Sequence, residues 1–226
     1  MTYLLLIMKI IAAPGPVCYP IVAAQMVRND IDIEYKKEGK ADIVLDSTVS
    51  LMKRNLPLDY VTIENLSRVT PKLGYKIGIT RKGGASDILF RAFVNETHQS
   101  VEIKYYESMG DLMNAMNKNE IDTVVIPAID NSGVSIEEYF KKNNVYIPGS
   151  CGAAVYNNEK EFVEAYNQGI KLIKEKPEET AKFIVSKLPM QFPEEFIINT
   201  MKNSDLNVHK SENYDKFKEL VEKYSK

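Results

Sequence analysis

The stretch "TRKGGAS", residues 80–86, sets a basic pair and two glycines at what reads as the start of a helix. Glycine lets backbone approach a ligand closely, and a helix start offers unspent N–H donors with a partial positive charge. Arg81 and Lys82 add full charges beside it. Such a loop can hold a carboxylate, phosphate or sulfonate. The same residues also make a tight turn with Ser86 as cap and a solvated basic pair, and the sequence leaves both readings open. Asp46, Asp87 and Asp130 can supply paired carboxylates for acid–base work, but aspartate is equally a turn and cap residue. Cys18 and Cys151 are the two cysteines, and His98 and His209 the two histidines. A nucleophilic thiol needs a base, and neither histidine follows a strand at the same edge, so no Cys/His dyad is expected. A disulfide, a ligand contact, or two small buried side chains are the accounts left for the thiols. With no HExxH and no zinc spacing, neither a metal site nor a cofactor is predicted.

Composition narrows the field further. A chain of 226 residues with a formal charge of -2 suits one large or two small domains and has no general attraction for nucleic acid. No basic stripe interleaved with aromatics appears, so no nucleic-acid partner is expected. No apolar run reaches membrane-spanning length. Neither a GxxxxGK[ST] loop nor a GxSxG elbow is present.

The elements that must position these residues alternate. "YLLLIMKIIAA" reads as a buried strand, with Lys9 inside the apolar run where a signal peptide would carry its charge ahead of it. Pro14-Gly15-Pro16 stops the strand, and "VCYPIVAAQMVRN" reads as a helix with Pro20 in its first turn. Strands are predicted at 31–37, 41–46, 75–80, 122–128 and 145–149, in "VEIKYYE", and as extended chain at 58–66. Helices are predicted in "STVSLMKRN" with Ser47 or Thr48 as cap, at 85–96, in "MGDLMNAMNKN" and in "SIEEYFKKN". From residue 159 onward the pattern is wholly helical, with Pro177 and Pro193 at first turns. Two β-α-β-α-β blocks imply parallel sheets covered by helices. We therefore expect an α/β fold of two lobes with a cleft between them. One lobe would hold residues 1–74 and 149–226 and the other 75–148.

Several phrases resemble type 2 periplasmic-binding-protein folds. "KIGITRKGGASDILFRAFV" is similar to the strand, glycine loop and helix that open their second lobe. "GKADIVLDS" resembles the strand ending at the cleft in the first lobe, and "ESMGDLMNAMNKNEIDTVVIPA" a helix-then-strand phrase of the second. "EFVEAYNQGIKLIKEKPEETAKFI" resembles the C-terminal helices of the nitrate, sulfonate and thiamine-precursor binding subfamily. The resemblance implies a ligand held by loops after the strands of both lobes. The matching positions are Pro14, Gly15, Pro16, Val17, Cys18 and Tyr19, then Asp46, Ser47 and Thr48. In the other lobe they are Thr80, Arg81, Gly83, Gly84, Ala85, Ser86, Pro127 and Ala128, with Cys151 at the return. Parallel sheets place ligands at this same edge.

The reading that follows is a binding protein for a small organic anion, serving a transporter permease or acting as a ligand sensor, with more reason against an enzyme than for one. The alternatives are an enzyme on the same scaffold, similar to menaquinone-pathway proteins, and the effector-sensing subunit of a regulator. "APGPVCYP" departs from the Ser-Pro-Cys-Pro-Asn-Asp phrase of those enzymes, and the cysteine-rich motif of thiamine-pyrimidine synthases is missing. No helix-turn-helix precedes the first lobe. Read as it stands the chain is expected in the cytoplasm; with a trimmed or misassigned start it would work outside it.

Overall fold

The computed structural model describes residues 7–226. The opening strand is β1 (Met8–Ala12), and residues 3–6 of its expected span lie outside those described. Pro14 ends it, a 3₁₀ turn runs over Pro16–Cys18, and α1 (Tyr19–Ala24) follows, shorter than the apolar pattern predicted. Then come β2 (Ile31–Glu34), β3 (Ile43–Ser47), α2 (Thr48–Lys53) and β4 (Tyr60–Glu64). The chain next enters a second sheet with β5 (Ser67–Thr70), β6 (Lys76–Thr80), α3 (Ala85–Glu96), β7 (Glu102–Tyr106), α4 (Met109–Asn117), β8 (Thr123–Pro127), β9 (Val134–Ser135) and α5 (Ile136–Lys142). It returns through β10 (Cys151–Val155) and finishes with α6 (Glu159–Glu175), α7 (Pro177–Lys187), α8 (Glu194–Asn203), β11 (Asp205–Lys210) and α9 (Asp215–Tyr224).

The first sheet has the order β11-β4-β10-β3-β1-β2 and the second β7-β6-β8-β5-β9. Both are mixed rather than parallel. β1 is parallel to β2 and β3, and β6 to β7 and β8. The strand that re-enters the first sheet, β10, runs antiparallel to β3 and β4, and β5 is antiparallel to β8. The expected strand at 145–149 is irregular chain; β10 takes its role six residues later. The all-helical reading after 159 fails at β11, which pairs with β4.

Among the described residues three apolar clusters form the interior. The first lies under α1, α6, α7 and α8, around Tyr19, Phe162 and Tyr166. The second takes Val44 and Ala154 from one sheet and Ile77, Ile79 and Val125 from the other, with α2, α3, α5 and α9. The third is small, where Leu112 and Ala115 of α4 cover Val124 and Ile126. Among the described residues no helix is long and apolar enough to cross a membrane.

Candidate functional site

At the carboxyl edge of the first sheet, Pro14, Gly15 and Pro16 are half-buried, while Val17 is covered and Cys18 and Tyr19 are sealed. The Tyr166 hydroxyl donates to the Val17 carbonyl at 2.9 Å, fixing the turn to α6. Tyr19 therefore lies in the first core rather than lining a cleft, because α1 turns it under α6. Its hydroxyl finds no partner among the described residues, and burial pushes its pKa above the ordinary phenol value. Burial likewise pushes the Cys18 thiol up to about 12 and the Cys151 thiol well above its ordinary value. Both thiols are free, buried and poor nucleophiles at neutral pH.

Asp46 is nearly covered and already engaged: Lys37 Nζ lies 2.7 Å away, Arg54 Nη1 3.2 Å, and Ser50 Oγ donates at 2.7 Å. Ser47 caps α2 by accepting from the Ser50 N–H, and Thr48 donates to the Gly149 carbonyl at 2.7 Å. These three residues hold the edge together with side-chain groups already spent on Lys37, Ser50, Arg54 and Gly149.

The second sheet's edge differs. Asp87, fully buried in the first turn of α3, accepts from the Gly83 N–H at 2.8 Å, from Arg91 and from the Tyr105 hydroxyl at 2.8 Å. Desolvation, then the bond to Asp87, pushes the Tyr105 phenol up to about 12. The Gly84 N–H closes a turn onto the Arg81 carbonyl at 3.0 Å, so neither glycine N–H is free. Gly83 and Arg81 both hold positive φ, 76° and 58°, which shapes the loop. Among the described residues no side chain caps α3; the leading N–H groups of Ala85, Ser86 and Asp87 have no acceptor within their helix. Ser86 does not cap: its hydroxyl lies 2.8 Å from that of Ser67. The Arg81 side chain passes Gly84, within 3.6 Å of where a Cβ would stand, whereas Lys82 turns away to lie 5.5 Å above the Tyr105 ring.

Bonds through the crossovers bring residues of both edges together. Ser86 meets Ser67, which pairs with Pro127, and the Ala128 N–H donates to the Leu66 carbonyl at 2.8 Å. The Leu66 N–H donates to Ser150 Oγ at 3.1 Å, the Ser150 carbonyl accepts from the Thr48 N–H, and Cys151 pairs with Ser47. Sequence reasoning placed Ser150 in a loop at this edge but did not nominate Asn65, Ser67, Arg68 or Glu137. Arg68 donates through Nη2 to the Asn203 carbonyl at 3.1 Å, and its Nε is buried without a partner among the described residues. Bonds from Ser132, then the Arg68 charge, hold the Asp130 carboxyl below its usual range. Nothing in "NLSRVT" distinguishes it from a surface connector, so only the pairing of β5 with β8 reveals Arg68. A cavity of about 620 Å³ opens elsewhere, among α6, α7, α8 and β11, and none of the nominated residues lines it.

Two mixed sheets, each covered by helices and joined by two crossovers, define a periplasmic-binding-protein-like α/β fold. The chain belongs to the family described as "Protein of unknown function (DUF3834)", which it matches over residues 1–207. A proposed nitrate transport protein of Thermoplasma volcanium superposes with a TM-score of 0.74 at 23% identity, covering 96% of this chain and 91% of that one. An ABC transporter structure from Parabacteroides distasonis gives 0.69 at 12% identity, with 97% and 93% covered. The alkanesulfonate-binding protein SsuA of Xanthomonas axonopodis pv. citri, bound to MOPS, gives 0.52 at 12%, with 90% and 86% covered. No curated protein matches the sequence.

Proposed function

We propose that this chain is a solute-binding protein that takes a small organic anion between two lobes, one built on each sheet, and delivers it to a membrane permease. The expected division, residues 1–74 with 149–226 against 75–148, moves at its first crossing to 66/67, because β5 pairs with β8 in the second sheet. The observation that carries the reading is the uncapped start of α3. α2, α4 and α5 each have a serine accepting from the first turn, while α3, like α1 and α6 to α9, has no such cap among the described residues. Its donors stand beside Arg81 and Ser67, at the edge where ligands enter such folds. Neighbours of the same fold are named for nitrate transport and alkanesulfonate binding, which agrees with an anion. The role places the protein beside a permease, outside the cytoplasm.

A thermal-shift panel tests this. Each carboxylate, sulfonate and phosphate is paired with its neutral amide or alcohol. A ligand at one hundred times its Kd stabilises by about 2.7 kcal/mol, roughly 5–10 °C for a chain of this size. Anions should shift melting and their neutral partners should not. Equal shifts from both would remove the anion site, and a panel without any shift would remove the binding reading.

A further inference from the structure

The chain passes between its sheets twice, at residues 65–66 and again over 143–150, and a single side chain reaches both passages. Glu137, in the first turn of α5, accepts from the Asn65 N–H through Oε2 and from the Ser150 hydroxyl through Oε1, the latter at 2.5 Å. Ser150 Oγ in turn accepts from the Leu66 N–H at 3.1 Å, which closes a ring through residues 65, 66, 137 and 150. Ser135 donates to Asn65 Oδ1 at 2.6 Å, and Asn65 Nδ2 donates to Asp205 at 2.6 Å.

The ionisable groups facing this ring are acidic. Glu64 comes from β4 and Asp205 from β11, and the buried Cys151 thiol from β10. Among the described residues no lysine or arginine pairs with Glu137, and the imidazole nearby, His209, lies 3.5 Å from Glu64. Glu137 as a residue keeps some exposed surface, but its carboxyl is enclosed by the groups it bonds. Desolvation is the largest influence and outweighs the two bonds, and Glu64 and Asp205 add to it, raising the carboxyl to about 7.

We propose that Glu137 is a proton-sensitive clasp on the two crossovers, closed when the carboxyl is protonated and loosened when it ionises. The direction follows from linkage. Any conformer that hydrates Glu137 restores an ordinary carboxyl, which binds its proton less tightly than the clasped form. Rising pH therefore favours the hydrated, looser hinge. The inference goes beyond ligand binding and does not depend on it; a failed ligand panel leaves it intact.

Nitroxide labels on Lys118→Cys and Glu175→Cys, exposed positions served by different sheets, read the hinge directly, since both native cysteines are buried. The looser population should grow about ten-fold relative to the clasped one between pH 6 and 8. E137Q, a neutral isostere, should give the same distance distribution at both values. D205N leaves the clasp bonds in place and removes one repelling charge, so it should show a smaller response even where E137Q folds poorly. Superimposable wild-type distributions at the two pH values, or a response that persists in E137Q, would overturn the clasp.

Discussion

Asp87 does three things from one buried carboxylate: it ties the glycine loop, orients Arg91 and anchors Tyr105. Removing it leaves a partly exposed guanidinium, a phenol and the Gly83 N–H without their shared acceptor. Asp87→Ala should therefore cost about 1–3 kcal/mol, read as a lowered urea midpoint with unchanged slope. Gly83 is a milder case. A Cβ there meets nothing within 4 Å, so Gly83→Ala suffers only from its φ of 76° and should cost about 1 kcal/mol. Glu137 sets a pH dependence of stability. The native carboxyl keeps its proton to about 7, whereas an unfolded glutamate releases it near ~4.3. Between those values the native state holds more protons, so its contribution is full below the unfolded value and is lost as pH rises through 7. The loss amounts to roughly 3–4 kcal/mol. Denaturant midpoints across pH 4.5–8 should fall accordingly, and E137Q should flatten that limb. Asp30 and Asp130, both held low, act oppositely and weaken the fold as pH drops below the ordinary carboxylate range. At this scale the sequence was half legible. The "TRKGGAS" stretch was readable as a turn leading into a helix, because glycine and helix start are local features. Glu137 was not, because its partners lie in strands far along the chain.

At the level of elements, α3 was legible over its full span, since its apolar face and the glycines before it mark both ends. β10 was missed for a physical reason. "CGAAV" is made of small residues with weak strand preference, and its neighbours require them: a Cβ on Gly152 would stand 2.3 Å from Leu58 Cδ1 and 2.6 Å from the Tyr60 carbonyl. The sheet selects that strand, and no local signal announces it. β11 was hidden likewise, because "DLNVHK" follows a helix and gains its strand form by pairing with β4. α1 and α6 show the same demand for small size. A Cβ on Gly169 would lie 1.7 Å from the Pro20 carbonyl, which is backbone and cannot turn aside. Gly169→Ala must push α1 off α6 and open the first core. The expected cost is about 3 kcal/mol, equivalent to roughly 6–12 °C in Tm. A melting curve within 2 °C of wild type, as ~±0.5 kcal/mol would give, would show that the helices yield freely.

For the whole molecule, two lobes joined at two crossovers would hinge freely unless something else connects them, and the second apolar cluster does. It takes residues from both sheets, with α9 packed against α2 of one and α3 of the other. The clustering makes this face a spine, and Arg68 of β5 adds a separate tie by donating to the Asn203 carbonyl at the end of α8. Two features of α9 compete to explain its hold. Phe217 is 1% exposed in the cluster. At the other end, Lys223 and Tyr224 both bond Glu96 of α3, with Lys223 Nζ 2.7 Å away. The magnitudes decide between them. An exposed ion pair contributes about 0–1 kcal/mol, whereas emptying a buried phenylalanine site costs about 3–5 kcal/mol. Phe217→Ala should lower Tm by roughly 6–20 °C and expose the α2–α3 seam to a hydrophobic dye, while Lys223→Ala should leave melting within a few degrees. The two variants should also separate in the label-pair experiment. Loss of Phe217 frees the spine and broadens the distance between lobes at every pH, unlike the pH-bound response of the clasp. If Lys223→Ala proves the more damaging of the two, α9 is held by its charges and the spine is not apolar.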